Sequence, residues 1–133
     1  MIYHVIYALS DNVIDDPMKT MIETERLLLH PLTGHQFWFL IRKTDRVVVG
    51  SADFKDIPNA AQEVEIGYGL GKKFEHNGYM TEVVQAMCDW AIEQENVLHI
   101  IAETETDGFA SQRILQRCGF VEEKCGDTIW WRK

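Results

Sequence analysis

No two cysteines in this sequence stand at metal-binding or redox spacing. The three present, Cys88, Cys118 and Cys125, are odd in number and form no CxxC. That argues against a disulfide framework and a zinc site, and a reducing, cytoplasmic setting fits. The five histidines (His4, His30, His35, His76 and His99) show no HxxxH-type ligand spacing, so no metal is expected. No apolar run reaches the length of a membrane span. Residues 1–10 are apolar but lack a basic leader and a small-x-small cleavage site, which argues against a signal peptide. Basic excess is missing as well: 13 Lys and Arg stand against 21 Asp and Glu, for a net charge of −8. Nucleic acid and membrane are therefore not expected partners. Neither GxxxxGK[ST] nor GxGxxG occurs, so the usual nucleotide loops are excluded.

What is present is a globular balance, 46% hydrophobic and 26% charged over 133 residues, which sets an expectation of one domain with its own core. Residues 1–20 read as an N-terminal extension, with 11–16 and Pro17 as a linker, and residues 21–133 as the domain. A strand is expected over 24–30, broken by 31–36, then a hairpin over 37–54 turning at Thr44, Asp45 and Arg46. Residues 63–70 alternate, with Val64, Ile66, Tyr68 and Leu70 on one face and Glu63, Glu65, Gly67 and Gly69 on the other. From Tyr79 the period becomes helical. Met80, Val83, Val84, Met87 and Ala91 form an apolar stripe to about Gln94, with Glu82, Asp89 and Glu93 on a solvated face. A buried strand over 98–102, a helix over 110–118 ended by Gly119, and strands over 121–123 and 128–131 complete the order. Several strands, helix, strand, helix, strands imply an α/β (α+β) fold, a mixed sheet with helices packed on it.

The join between the alternating strand and the first helix is a candidate anion site. The first N–H groups of a helix have no internal partner and carry partial positive charge. A loop wrapping that end makes a phosphate pocket. Gly78 permits positive φ and close approach, Thr81 offers a hydroxyl, and Lys72 and Lys73 lie nearby.

On these residues the sequence resembles the GNAT superfamily of acyl-CoA-dependent N-acetyltransferases, in particular the ribosomal-protein N-terminal acetyltransferase type. Glu23-Thr24-Glu25-Arg26-Leu27-Leu28-Leu29 is similar to that group's first strand and Val64-Glu65-Ile66-Gly67-Tyr68 to its central strand. Gly78-Tyr79-Met80-Thr81-Glu82 is similar to its pyrophosphate loop and helix. Ala110-Ser111 through Arg117-Cys118-Gly119-Phe120 is similar to its second cofactor-side helix. The resemblance implies a mostly antiparallel sheet with a central parallel strand pair splayed around the cofactor. Acetyl-CoA would be the co-substrate and a primary amine, a protein N-terminus or a small amine, the acceptor. The arm would bond the strand edge at Tyr68, Gly69 and Leu70. The pyrophosphate would sit on Glu75, His76, Asn77, Gly78, Tyr79, Met80 and Thr81, and Gly108 and Ser111 would line the far side. Four departures from the family pattern stand out. Glu75 and Met80 occupy the ends of the loop, where the family places Gln or Arg and Gly or Ala. Gly108 stands where asparagine is common. Leu115 stands where many members place a tyrosine acid. Only residues 31–36 stand where two helices are usual, so either that wall is lost or a segment is missing from the sequence given.

Acyl transfer to an amine needs positioning, donors for the developing oxyanion and a base for the ammonium proton. Glu65 is the candidate base, with Glu103 and Glu105 behind it, and Tyr68 and Tyr79 are candidates to protonate the thiolate. A catalytically inactive acyl-CoA-binding module is the alternative, and a structural domain that binds only stray anions a third. A homodimer stays open.

Overall fold

A computed structural model describes residues 21–32 and 36–133. The expectations for residues 1–20 and 33–35 lie outside them. The chain runs β1 (Ile22–Glu23), β2 (Leu27–Pro31), β3 (Phe37–Arg42), β4 (Val48–Phe54), β5 (Glu63–Leu70), a 3₁₀ turn (Lys72–Phe74), α1 (Tyr79–Ile92), β6 (His99–Glu105), α2 (Phe109–Arg117), β7 (Val121–Cys125) and β8 (Thr128–Arg132). All eight strands form one sheet in the order β1-β2-β3-β4-β5-β6-β8-β7. Every neighbouring pair is antiparallel except the central β5–β6. This is the mixed, mostly antiparallel sheet expected, with two α-helices among the described residues.

Local chemistry explains the turns. Asp45 accepts from the Arg42 guanidinium at 3.0 and 2.7 Å and from the Val47 N–H at 3.3 Å, which closes the β3–β4 hairpin. The strand expected over 24–30 begins only at Leu27, and a separate short strand, β1, precedes it. The Thr24 N–H donates to the Leu27 carbonyl at 2.9 Å, and its hydroxyl oxygen accepts from the Leu27 N–H at 3.0 Å. That tight turn folds Ile22 and Glu23 back against Leu29 and Leu28. Pro31 does not break β2 but ends it, opposite Trp38; a strand end tolerates the missing N–H. The β6 strand runs three residues beyond the apolar stretch that announces it, because Glu103 and Glu105 pair with β8.

The core lies on one face of the sheet. Val83, Val84 and Met87 of α1 and Leu115 of α2 are fully buried against Val64, Ile66, Ile100 and Trp131. The Trp131 indole N–H donates to the Thr104 hydroxyl at 2.9 Å, so the buried polar pair is satisfied. Cys88 is buried in the same core, and that burial pushes its thiol up to about 12; it is a packing residue, as expected, while Cys125 is exposed. The alternate residues of β5 and β6, among them Glu65, Gly67, Gly69 and Glu103, lie on the other face.

Candidate active site in the gap between the parallel strands

The β5–β6 pairing covers only Glu63↔His99, Val64↔Ile100 and Glu65↔Ile101. Beyond it β5 continues with β4 to Leu70, and β6 with β8 to Glu105. The two strands therefore part, and a gap opens with its vertex at Glu65 and Ile101. The Lys55 N–H donates to the Glu65 carbonyl at 2.9 Å and the Gly71 N–H to the Val49 carbonyl at 2.7 Å. Odd-numbered residues of β5 thus turn their backbone toward β4, and even-numbered ones toward β6. The N–H and C=O groups of Tyr68 and Leu70 face the gap with no strand partner, an edge ready to pair with an extended ligand. Gly69 spends its backbone on β4, opposite Ser51, and a Cβ built on it meets nothing within 4 Å.

The far end of β5 leads through the 3₁₀ turn to the start of α1. Gly78 caps that helix at φ 76° without a side-chain hydrogen bond, and His76 also has positive φ, 64°. The Asn77 amide donates to the carbonyls of Phe74 and Glu75 at 3.1 and 3.0 Å, folding the loop on itself. The N–H groups of Tyr79, Met80 and Thr81 fall in the first turn, where no helical acceptor exists. Glu75 and His76 are exposed, whereas Tyr79 and Met80 are buried. Their side chains anchor the turn while the backbone faces out.

Across the gap, Gly108 caps α2 with no side-chain bond; a Cβ there would come 3.3 Å from the Glu105 carbonyl oxygen. The Ser111 and Tyr68 hydroxyls are 2.6 Å apart, which ties α2 to β5 over the helix side of the gap. Burial raises the Tyr68 hydroxyl above the ordinary tyrosine range, against a smaller lowering by Ser111.

At the vertex, on the open face, the Glu65 carboxylate meets the Lys55 ammonium at 3.1 Å. A Cβ on Gly67 would fall 2.5 Å from Asp53 Oδ1 and 3.1 Å from Lys55 Cε, so glycine keeps room for those two side chains. Glu103 Oε2 accepts from the Thr128 hydroxyl at 2.6 Å. Among the described residues no group of three or more His, Cys, Asp or Glu could hold a metal, and no helix is long and apolar enough to cross a membrane.

A family model described as the acetyltransferase (GNAT) domain matches residues 9–121. The chain belongs to this family. The GNAT domain is 32% identical over 88 residues to the uncharacterized N-acetyltransferase YjdG of Bacillus subtilis, covering 66% of this chain and 52% of that protein. It spans about half to two thirds of the length of the curated relatives it matches. Its fold is similar to a GNAT-family acetyltransferase from Bacillus anthracis, with a TM-score of 0.75 at 18% identity over 86% of this chain and 98% of that one. It is also similar to a ribosomal alpha-N-protein acetyltransferase solved in complex with coenzyme A, with a TM-score of 0.67 at 18% identity over 73% and 60%. Both structural likenesses establish the fold.

The site also holds groups that sequence reasoning misses or misplaces. Glu82 is not on a solvated face. Its carboxylate accepts from the Thr24 hydroxyl at 2.6 Å, the Arg26 N–H at 3.2 Å and Arg26 Nε at 2.8 Å. Burial works against that charge, but the hydrogen bonds outweigh it and hold the carboxyl below its usual range. Arg26 is one missed group: its guanidinium lies 4.4 Å over the Tyr79 ring, with Nη2 3.4 Å from the Cβ position of Gly78. Thus a cation stands on the positive end of α1, neutralised in part by Glu82. Lys55, the partner of Glu65, is the other. Neither has a local sequence signal: Arg26 arrives through a turn packed on α1, and Lys55 through the β4–β5 ladder. Tyr79 is a packing residue under Arg26 rather than a free hydroxyl in the gap.

Proposed function

We propose that this GNAT domain is an acetyl-CoA-dependent N-acetyltransferase acting on a primary amine. The unpaired edge of β5 carries the reading: a strand whose Tyr68 and Leu70 backbone groups face a gap, leading straight to a helix start shaped for phosphate. In this reading the first-turn N–H groups around Gly78 bind the pyrophosphate, with Arg26 close by and Glu75 held outward. The gap then takes the extended arm as an added strand would be taken, and Gly108 and Ser111 line its other wall. The reactive acetyl group thereby reaches the vertex. Glu65 stands there to take the ammonium proton of the acceptor, directly or through water. Backbone donors at the vertex supply the electrostatic stabilisation that acyl transfer needs. The acceptor class is a protein N-terminus or a small amine, consistent with an acidic surface of net charge −8. The protein acts without a metal, and a reducing cytoplasm suits its buried thiols.

The Glu65–Lys55 ion pair favours one second reading, a catalytically inactive acyl-CoA-binding module whose candidate base is already occupied. Calorimetric titration with coenzyme A and acetyl-CoA, followed by thiol release with a panel of amines, separates the two. Binding with amine-dependent release supports the enzyme. Binding without release selects the module, and no binding removes both.

A further inference from the structure

The geometry points to Lys55 as a site of self-acetylation, the first amine this domain modifies being its own. The inference rests on the acetyl-CoA reading above, but it concerns a different residue and a different product.

Three observations place the amine. The anion site lies beyond the C-terminal end of β5, so an arm anchored there and laid along Tyr68 and Leu70 runs back toward Glu65. The strands close at Glu65↔Ile101, so the arm ends at that vertex. Lys55 is fixed at the same point twice. Its backbone N–H is held by the Glu65 carbonyl at 2.9 Å, and its Nζ lies 3.1 Å from Glu65 Oε2. The proposed base thus already holds a primary amine. The Lys55 side chain is 52% exposed, so it is open to solvent. Other lysines are engaged elsewhere. The Lys43 ammonium binds Glu23 and the Thr24 carbonyl, Lys133 binds the Cys118 carbonyl, and Lys73 lies over the Phe74 ring.

The chemistry balances without another reactant. The Lys55 ammonium gives one proton to Glu65, which passes it to water. The neutral nitrogen forms a bond to the thioester carbonyl carbon, the carbon–sulfur bond breaks and the sulfur leaves with the electron pair. The nitrogen then gives its second proton to solvent, and the thiolate takes one from solvent. The products are Nε-acetyl-Lys55 and free coenzyme A. Proximity is the driving advantage, since the attack is unimolecular once acetyl-CoA is bound. The modified side chain has no charge to offer Glu65, so the carboxylate becomes available to an external amine. Lys55 sits above the usual lysine range, chiefly because Glu65 accepts its hydrogen bond. Burial opposes this, and the charges of Glu65, Asp53 and Glu103 on β5, β4 and β6 add to it. The neutral amine is therefore scarce at pH 7, and the reaction quickens as pH rises.

The full chain is incubated with acetyl-CoA and no added amine, then followed by intact mass and peptide mapping. The expected result is one acetyl group per chain, on Lys55, at a rate independent of protein concentration. Lys55→Arg abolishes it. A large excess of desulfo-coenzyme A, which competes without needing any variant, suppresses it at least tenfold. Acetyl groups scattered over Lys43, Lys72, Lys73, Lys124 and Lys133, or labelling untouched by the competitor, means solution chemistry and overturns the inference. A protein that binds coenzyme A and acetylates external amines while Lys55 stays unmodified overturns this inference alone. A protein that binds no coenzyme A overturns the acetyl-CoA reading with it.

Discussion

At the Gly78 end of the β5–β6 gap the candidate binding groups are backbone N–H donors, set by one residue at φ 76° and the first turn of a 14-residue helix. At the Glu65 end they are side chains from separate segments, Lys55 just past β4 and Glu65 of β5 at 3.1 Å with Asp53 packed over Gly67. One end is made by local conformation and the other by register. The first kind of site tolerates changes in side-chain type, because backbone donors remain whatever residue carries them. That is why Glu75 and Met80 can occupy loop positions without abolishing the donor array. The second kind depends on single atoms, so one substitution removes it. The proposed division of labour follows: binding at the helix start, proton transfer at the vertex.

The largest effect expected is at the vertex. Glu65→Gln should lower turnover by about 10²- to 10⁴-fold at neutral pH, the usual contribution of a general base, with coenzyme A affinity unchanged. Activity should recover in part at high pH, where the acceptor is already neutral. Superimposable pH–rate profiles for wild type and variant would remove Glu65 from the mechanism.

Gly78→Asp should act at the other end and on the other quantity. It places a carboxylate beside the first-turn donors and strains a positive φ at about 1–3 kcal/mol, although Asp tolerates that region better than most residues. Affinity for coenzyme A should fall about 10- to 100-fold, equivalent to about 1.4–2.8 kcal/mol. Calorimetry on a variant shown to be folded by circular dichroism checks it. Undiminished affinity would take the phosphates elsewhere.

Glu82→Ala should cost stability instead. It strips the acceptor from the Thr24 and Arg26 donors, an effect of about 1–3 kcal/mol. The pH dependence has a definite sign. The folded Glu82 carboxyl lies below its ordinary 4.5, so its contribution is complete above that pH and is lost as pH falls through the lowered value. Urea denaturation of wild type and variant should show a gap at pH 7 that narrows below pH 4.5. A gap constant with pH would mean that the Glu82 charge plays no part.

Gly69→Ala should do least. Its backbone serves β4 and its Cβ position is open, so stability should stay within about 0.5 kcal/mol and coenzyme A affinity within a few-fold. A large affinity loss would show that the arm crosses the open face rather than following the strand edge.

The same division between local conformation and register governs how much of the molecule is legible in its residues. The alternation over Glu63–Leu70 and the change of period at Tyr79 locate β5 and α1 to the residue at three of their four ends. A glycine ahead of a helical stripe marks the candidate anion site, because its physics is local. The strand boundary near Thr24 is not legible, since the leucine run announces β2 but not the side-chain turn at Thr24 that precedes it. Glu82 reads as solvated because helical spacing reports only which face a residue occupies. It does not say that a neighbouring turn comes down on that face with Arg26. Lys55 is invisible for the same reason: ten residues separate it from Glu65 in sequence, and only the β4–β5 register joins them.

The central claim, an anion-binding helix start feeding an unpaired strand edge, is tested most directly by comparing two ligands on the unmodified protein. Calorimetric titration with acetyl-CoA and with S-acetylpantetheine, which has the same arm and no phosphates, measures what the helix start contributes. The account predicts saturable one-to-one binding of acetyl-CoA, with affinity for the phosphate-free ligand lower by about 100-fold or more, equivalent to about 2.8 kcal/mol. Equal affinities, or no binding of acetyl-CoA, would contradict it.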